Sequence, residues 1–376
     1  MSQHDNLYVT YDNEPESRWF QDDFNKLLCW AVDNQMSDLI LSSNEPVWLS
    51  RLGYKVPITN RLLQTDEIND LIDDIAKSNS ASADLQSGQE KNFSYALKKD
   101  RITTYRFRVN ATSTQLNGPL GSAVTMRFIP PFPPLLEDLK IEPEILEAIE
   151  PVDGFVIVSG NTGTGKTTLL AAILRYILSK PGKSIVTYEQ PVEFMLKDLP
   201  ERKSLIDHHE IGTNLLTWEN APANANRRDP DIVFLGEAKE RATFAGMLEL
   251  GNIGKSCYVS LHTSRPRMVI PRILDIFPYD ERAQAASILI SNLRVLISQK
   301  LLLHANGKKR VAIREYVVFT AEDRETLLKT PIEAIPLYID KLVDLRNSSF
   351  VLAAQKEMEA GNITEESFLA LEKEFS

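Results

Sequence analysis

A run of glycines and threonines with one asparagine and one lysine occupies residues 160–168 of the 376-residue chain. Gly160, four residues and then Gly165-Lys166-Thr167 is the spacing of a P-loop. Glycines let backbone N–H groups turn inward around phosphate oxygens, a lysine reaches the β- and γ-phosphates, and a threonine hydroxyl binds Mg²⁺. A glycine-rich surface turn without function is the alternative. The predicted cofactors are ATP and Mg²⁺, and the predicted nucleotide-binding residues are Gly160, Asn161, Thr162, Gly163, Thr164, Gly165, Lys166, Thr167 and Thr168.

Two carboxylates and a histidine follow further apolar stretches, where buried strands are predicted to end. Glu237 ends a stretch with the pattern of a Walker B element, and Glu189 and His262 end two others. Since the carboxyl ends of parallel strands face the ligand crevice, Glu237 and Glu189 are rival candidates for the catalytic base and His262 for a phosphate sensor. An exposed carboxylate and a structural histidine are the plainer alternatives. The predicted metal ligands are Thr167, Glu237 and Glu193.

Three arginines form another candidate group. Residues 105–110 alternate between apolar and polar side chains, which predicts a strand with Arg106 and Arg108 on one face. Arg127 stands on a second predicted strand. Solvated arginines on an open sheet face are one interpretation. The other is that these arginines meet nucleotide phosphate across an interface, since a guanidinium binds phosphate bidentately; Arg106 and Arg127 are the two predicted as catalytic residues.

The elements around the glycine run are those that a P-loop needs. The apolar run 155–158 predicts a buried parallel strand, and apolar residues between 169 and 178 mark one face of a helix that 179–182 ends. Further on, we predict a polar loop and then a helix over 205–228, helical segments near 281–303, and helical material up to Ser376. The other predicted strands of this half are 184–188, 231–235, 257–261 and 311–318.

The sequence of the first half of the chain predicts a smaller domain of mixed helices and strands, an α+β domain. Residues 1–17 are polar and predict a mobile arm, and the Ser- and Ala-rich residues 78–90 predict a loop. Thr65 stands where an N-cap would open a helix. The other predicted elements are a helix at 18–34 and strands at 37–42, 47–49 and 54–56.

Length and proline content divide the chain. A chain of 376 residues exceeds one ordinary core, and four prolines within 130–134 exclude regular helix or central strand there. The predicted organisation is an arm at 1–17, an α+β domain at 18–129, a proline-rich linker at 130–141, and an α/β domain with C-terminal helices at 142–376.

Composition narrows the class of protein. Hydrophobic residues make up 43% and charged residues 25%, which fits a globular protein. The polar start argues against a secretory signal peptide, and no apolar run is long enough to span a membrane. Only two cysteines are present, which argues against a disulfide framework, so we expect a cytoplasmic protein. The net charge of −10 argues against a protein that mainly holds nucleic acid, and no sequence-specific nucleic-acid binding is expected.

From about Phe20 onward the sequence resembles the secretion-superfamily ATPases, which include pilus retraction motors and type IV secretion ATPases. The resemblance is strongest to the DotB-type ATPases of Dot/Icm (type IVB) secretion and their conjugative-plasmid counterparts. Besides the P-loop, the matching stretches are 37–41, 105–112, the acidic "Asp box" 189–194, Walker B over 227–237, the "His box" 260–263, 294–301 and 314–319.

The resemblance implies a PAS-like N-terminal domain, a RecA-like C-terminal domain and a homohexamer. It places nucleotide between the two domains, with arginines completing the site. The ring would dock on the cytoplasmic face of the inner membrane through secretion-machine partners, with no transmembrane segment of its own. Three positions depart from the family pattern: Gln190 replaces an Asp, Lys239-Glu240 replaces Arg-Asp, and 115–117 lacks an arginine.

The leading interpretation is a hexameric ATPase motor for export or DNA transfer in a type IVB-like or conjugation system. A pilus retraction ATPase is an alternative, and so is a nucleotide-gated assembly or adaptor subunit with little turnover. A small-molecule kinase is disfavoured because no lid or acceptor site is recognisable.

Overall fold

The computed structural model of the chain describes residues 8–100, 103–236 and 240–375. The chain forms two compact units. The first comprises Met1–Pro131 and Leu303–Arg310, and the second comprises Phe132–Leu302 and Val311–Ser376. Each has its own hydrophobic core.

The first unit is built on an antiparallel sheet. Its described elements are α1 (Gln21–Asp33), β1 (Met36–Ser42), β2 (Trp48–Arg51), β3 (Tyr54–Pro57), α2 (Thr65–Ala76), α3 (Ala81–Gln86), β4 (Lys91–Lys98), β5 (Thr104–Gln115) and β6 (Leu120–Ile129). Within the described residues the strand order is β3-β2-β1-β6-β5-β4, and each pair of neighbours is antiparallel.

Alternation along β5 decides which side of this sheet faces the core. Tyr105, Phe107 and Val109 are buried, which confirms the predicted apolar face. Arg106 and Arg108 take the opposite face and are partly exposed. Apolar residues of α1 and α2 at helical spacing pack in the same core as the buried face of β5.

Three predictions for the first unit differ from the structure. Tyr11 is buried, donates its backbone N–H to Ile58 O at 2.8 Å and stacks on Trp19, so the predicted mobile arm is wrong for this part of residues 1–17; residues 1–7 lie outside the described residues. The predicted loop 78–90 contains the short helix α3. The N-cap of α2 is Gln64 and not Thr65.

The second unit is built on a mainly parallel sheet. The described strands of its sheet are β7 (Gly154–Ser159), β8 (Ser184–Glu189), β9 (Leu205–Glu210), β10 (Ile232–Leu235), β11 (Ser256–Leu261), β12 (Leu293–Leu303) and β13 (Arg310–Val318); the last residue of β12 and the first of β13 fall in the first unit. Among the described residues their order is β13-β12-β7-β11-β10-β8-β9, and the five pairs from β12 to β9 are parallel.

Helices pack on both faces of this sheet. All six residues of β7 are buried; Phe155 and Ile157 enter one apolar cluster, while Val156 and Val158 enter another with the helix that follows. Burial on both faces explains why the β7 sequence is continuously apolar. The helices are α4 (Pro143–Ala148), α5 (Lys166–Leu178), α6 (Asn220–Arg228), α7 (Arg241–Asn252), α8 (Val269–Leu274), α9 (Arg282–Asn292), α10 (Ala321–Lys329), α11 (Ile335–Leu345), α12 (Phe350–Glu359) and α13 (Glu365–Phe375).

Two predictions for this unit are wrong. Strand β9 lies within the stretch predicted as a polar loop. The sequence looks like a loop because β9 stands at the sheet edge and only Ile206 of its six residues is fully buried. The stretch near 281–303 is helix only as far as Asn292 and continues as β12. Leucine and isoleucine at 293–303 suit either structure, so pairing with β7 decides the outcome.

Candidate functional site

The P-loop connects β7 to α5, as predicted. Gly160 has φ +151°, and a Cβ there would meet Gln299 O at 2.6 Å and Thr164 Oγ1 at 2.5 Å. Gly163 and Gly165 also have positive φ, of +79° and +82°. Only glycine fits the start of this loop, because both the conformation and the space exclude a side chain.

Lys166 begins α5 and is buried, with 6% of its surface exposed. Its Nζ donates to Gly160 O at 2.9 Å and to Asn161 O at 3.0 Å, and it lies 3.5 Å from His262 Nδ1. The structure thus places the predicted phosphate sensor beside the P-loop lysine. The register explains the proximity, since Leu261 pairs with Ser159 at the ends of β11 and β7.

The ends of β8 and β10 also meet. Leu235 pairs with Tyr188, so Gly236 lies against Glu189, whose side chain would be 3.0 Å from a Cβ on that glycine. Glu189 is 4% exposed. Ser260 donates its hydroxyl to Gly236 O and so ties β11 to the same point. Glu237, predicted to be the Walker B carboxylate, follows Gly236 in the sequence and lies outside the described residues.

Sequence reasoning missed two histidines of β9, of which His208 lies next to Glu189 and His209 packs against the ring of Tyr188. His208 Nδ1 lies 2.8 Å from Thr187 Oγ1 and 3.4 Å from Glu189 Oε1, because β9 pairs in parallel with β8. Burial, and secondarily the charge of Arg228, lowers the pKa of His209 below its usual value. Recognition of β9 as a strand would have revealed both.

Two further residues beside the loop were missed. Gln299 donates from Nε2 to Thr164 O at 2.7 Å, and Arg314 donates from Nε to Gln299 Oε1 at 2.9 Å. Both side chains are buried. The available signal was that polar residues interrupt the otherwise apolar strands β12 and β13, within the stretches 294–301 and 314–319.

The candidate arginines lie in the first unit. Arg108 and Arg127 are directly paired across β5 and β6, and Arg127 Nε donates to Asp38 Oδ1 at 2.8 Å. Together with Asn92 and Asn110 these residues line an open polar cleft of about 370 Å³. Arg106 lies on the same face of β5, two residues from Arg108. Their predicted role at nucleotide phosphate stays a prediction.

The loop fits the phosphate groups of a nucleoside triphosphate. The glycine cradle, the buried lysine and the start of a 13-residue helix converge at one strand end, where backbone N–H groups favour anions. Thr167 is in the first turn of α5, and Glu193 is partly buried after β8. Within the described residues, no group of three or more His, Cys, Asp or Glu could hold a metal ion; Glu237, the third predicted ligand, lies outside them.

Comparison with known proteins shows which family the chain belongs to. The model of the type II/IV secretion system protein family matches residues 33–332, most of the chain. The chain belongs to this family. As a type II/IV secretion system protein it shares 31% identity over 306 residues with the type IV pilus retraction ATPase PilT of Pseudomonas aeruginosa, covering 81% of this chain and 85% of that one.

Other relatives support the same assignment. A twitching motility protein of Neisseria gonorrhoeae is 35% identical to this chain over 251 residues. The match covers 66% of this chain and 64% of that protein. The X-ray structure of the Legionella pneumophila ATPase DotB is 31% identical and superimposes with a TM-score of 0.89, over 97% of this chain and 99% of DotB.

The structural match confirms the predicted fold class, a RecA-like P-loop unit preceded by a smaller PAS-like α+β unit and followed by C-terminal helices. Among the described residues, none of the helices combines the length and the apolar character needed to cross a membrane. The chain is therefore a member of a family of secretion and pilus ATPases.

Proposed function

We propose that the chain is an ATP-hydrolysing, homohexameric motor of a type IVB-like secretion or conjugation system. The observation that carries the proposal is a complete P-loop cradle in a fold that matches the ATPase DotB over 97% of the chain. In this proposal the ring docks at the cytoplasmic face of the inner membrane through partner proteins of the secretion machine.

Four groups of this chain would act on the nucleotide. Lys166 and the loop N–H groups would bind the β- and γ-phosphates, and Thr167, Glu237 and Glu193 would hold Mg²⁺, which would neutralise phosphate charge. Glu189 ends β8, and Glu237 follows Gly236 in the sequence; in this proposal either carboxylate accepts a proton from the attacking water. His262, 3.5 Å from Lys166, would respond to the γ-phosphate.

The test compares Glu237→Gln and Glu189→Gln with the wild-type protein by single-turnover hydrolysis and nucleotide retention. Glutamine keeps the size of glutamate but cannot accept the proton, so the base variant should bind ATP and lose about 10²–10⁴-fold in hydrolysis. Loss in Glu189→Gln alone would assign the base to Glu189. Negligible turnover of the wild-type ring, even with its membrane partner, would favour the nucleotide-gated adaptor.

Pilus retraction is the second candidate function, favoured by the 31% identity to PilT over 81% of the chain. Deletion of the gene in its host separates the two. Loss of effector export or conjugative transfer with normal surface motility supports the secretion motor, and loss of motility with normal transfer supports retraction. Neighbouring relaxase or pilin genes would point to the same distinction.

A further inference from the structure

Gln299 lies beside the P-loop because of the register of β12. Ser298 pairs with Ser159, the last residue of β7, so Gln299 stands next to Gly160, where the loop begins. The side chain is 4% exposed, and its Nε2 donates to Thr164 O at 2.7 Å. One buried amide therefore joins strand β12 to the middle of the loop.

This hydrogen bond orients the peptide between Thr164 and Gly165. In a trans peptide the C=O and N–H groups point in opposite directions. With the C=O of Thr164 turned to Gln299, the N–H of Gly165 is turned to the opposite side. Since backbone N–H groups of a P-loop cradle phosphate, Gln299 fixes the direction of a donor that the site requires.

Arg314 determines which end of the Gln299 amide faces the loop. Its guanidinium, 2% exposed, donates from Nε to Gln299 Oε1 at 2.9 Å. A guanidinium can only donate and a backbone carbonyl can only accept. The amide of Gln299 between them therefore has a single orientation, with its oxygen toward Arg314 and its nitrogen toward Thr164.

The same guanidinium binds the segment 139–142. Nη2 donates to Leu139 O at 3.0 Å, and Nη1 lies 3.4 Å from Lys140 O and 3.2 Å from Glu142 Oε2. This segment follows the proline-rich run and precedes α4, so along the chain it leads back to the first unit. One buried charge thus connects the loop amide with residues 139–142, which belong to the second unit and precede α4.

We propose that Gln299 and Arg314 are positioning residues of the phosphate site and couple its occupancy to residues 139–142. The inference rests on the nucleotide binding proposed above. A phosphate held by the Gly165 N–H restrains the peptide that Gln299 also holds, and Arg314 passes the restraint to the carbonyl groups of Leu139 and Lys140. Nucleotide then stiffens the start of the segment that leads to the first unit.

Gln299→Glu breaks one arm of this connection and spares the other. The carboxylate still accepts from Arg314, but it places an acceptor against Thr164 O, where a donor stood. Ser298→Ala is the matched control, because it removes a buried hydroxyl pair with Ser159, 2.6 Å apart, at the neighbouring position. Arg314→Lys keeps the charge but cannot span both partners, and it serves as the second variant.

The full-length protein is titrated with ADP and Mg²⁺ and followed by hydrogen–deuterium exchange. We expect Gln299→Glu to bind ADP about ten-fold more weakly than the wild-type protein, since a buried hydrogen bond is replaced by repulsion. At saturating ADP, the peptide containing 160–168 should be protected in both proteins. The peptide containing 139–142 should gain protection in the wild-type protein and in Ser298→Ala, but not in Gln299→Glu or Arg314→Lys.

The outcomes separate this inference from the proposed function. Wild-type protein without measurable ADP binding would overturn the proposed function and, with it, the coupling. Normal binding in the wild-type protein, together with unchanged affinity and unchanged protection of 139–142 in Gln299→Glu, would overturn the positioning pair alone. Equal losses in Ser298→Ala and Gln299→Glu would also overturn it, because they would show a general response to core damage.

Discussion

Lys166 carries its charge on a buried side chain next to two carbonyl groups of its own loop. Lys166→Ala removes the principal cation for the β- and γ-phosphates, so ATP should no longer stabilise the fold. Ligand at 100-fold its Kd stabilises a protein by about 2.7 kcal/mol, and each kcal/mol shifts Tm by roughly 2–4 °C in a large domain. Differential scanning fluorimetry should show an ATP-dependent shift of several degrees in the wild-type protein only. An undiminished shift in the variant would contradict the P-loop assignment.

Gly160 and Gly163 give a matched pair of substitutions, because both have positive φ but differ in the space around them. A Cβ at Gly160 meets backbone Gln299 O at 2.6 Å, whereas a Cβ at Gly163 has nothing within 4 Å. Gly160→Ala should therefore abolish ADP binding and lower Tm. Gly163→Ala should cost only the backbone strain, about 1–2 kcal/mol. Calorimetric titration with ADP checks the order, and equal losses would show that conformation alone matters at Gly160.

At the scale of elements, strand β9 makes the stability of the second unit sensitive to pH. Burial, and then Arg228, lowers the pKa of His209, so the unfolded chain binds a proton more readily than the folded chain. The free energy of unfolding should therefore be highest above about pH 6.5, the unfolded value, and fall as pH drops below it. The pKa of Asp207 is also lowered, chiefly by a hydrogen bond from Lys197. That carboxyl affects the free energy of unfolding only near pH 4 and below, where the unfolded chain takes up its proton.

Urea unfolding between about pH 7.5 and pH 5.5 measures this slope. His209→Gln, which cannot take up a proton, should make the slope shallower. His304→Gln, in the segment that belongs to the first unit, is the control and should leave the slope as it is in the wild-type protein. The same slope in His209→Gln and in the wild-type protein would show that other groups cause the pH dependence.

The elements that the sequence predicts well are those with one dominant physical cause. β7 and α5 are continuously apolar or periodic and flank an unmistakable loop, so the βα unit is predicted to within a few residues. β4 and β9 are missing from the prediction because β4 buries only two of its residues and β9 only one. β12 is assigned in part to helix because pairing with β7, not local sequence, makes it a strand.

The candidate site follows the same distinction. Glu189 and His262 are predicted from strand ends, and the parallel register brings His262 to Lys166. Gln299 and Arg314 are missed because their positions depend on which strand lies beside β7 in space. Side chains contributed by neighbouring strands cannot be placed until the strand order is known.

At the scale of the whole molecule, Arg127 tests whether the first unit contributes to catalysis. In its ion pair with Asp38 the Arg127 side chain is half-exposed, and ion pairs open to solvent contribute only about 0–1 kcal/mol to stability. Arg127→Ala should therefore keep the wild-type Tm and circular dichroism but lose ATP turnover, and Arg106→Ala should behave in the same way. Asp38→Asn removes the same ion pair, keeps the arginine and should retain turnover. Normal hydrolysis in both arginine variants would make these arginines ordinary surface residues.

The last prediction concerns the proposed ring. Glu237→Gln should bind ATP through the P-loop without hydrolysing it, so a variant subunit stays locked in the ATP-bound state. If subunits of a homohexamer act in concert, one locked subunit hinders its neighbours.

The relative turnover of mixtures of variant and wild-type protein, as a share of pure wild-type turnover, should then fall below the fraction of wild-type subunits present. The measurement is steady-state ATPase activity over a series of mixing ratios, after subunits have been allowed to exchange. Lys166→Ala, which should not retain ATP, provides a comparison that separates locking from simple dilution. Activity in direct proportion to the wild-type fraction would show independent subunits and would remove the concerted motor from the proposed function.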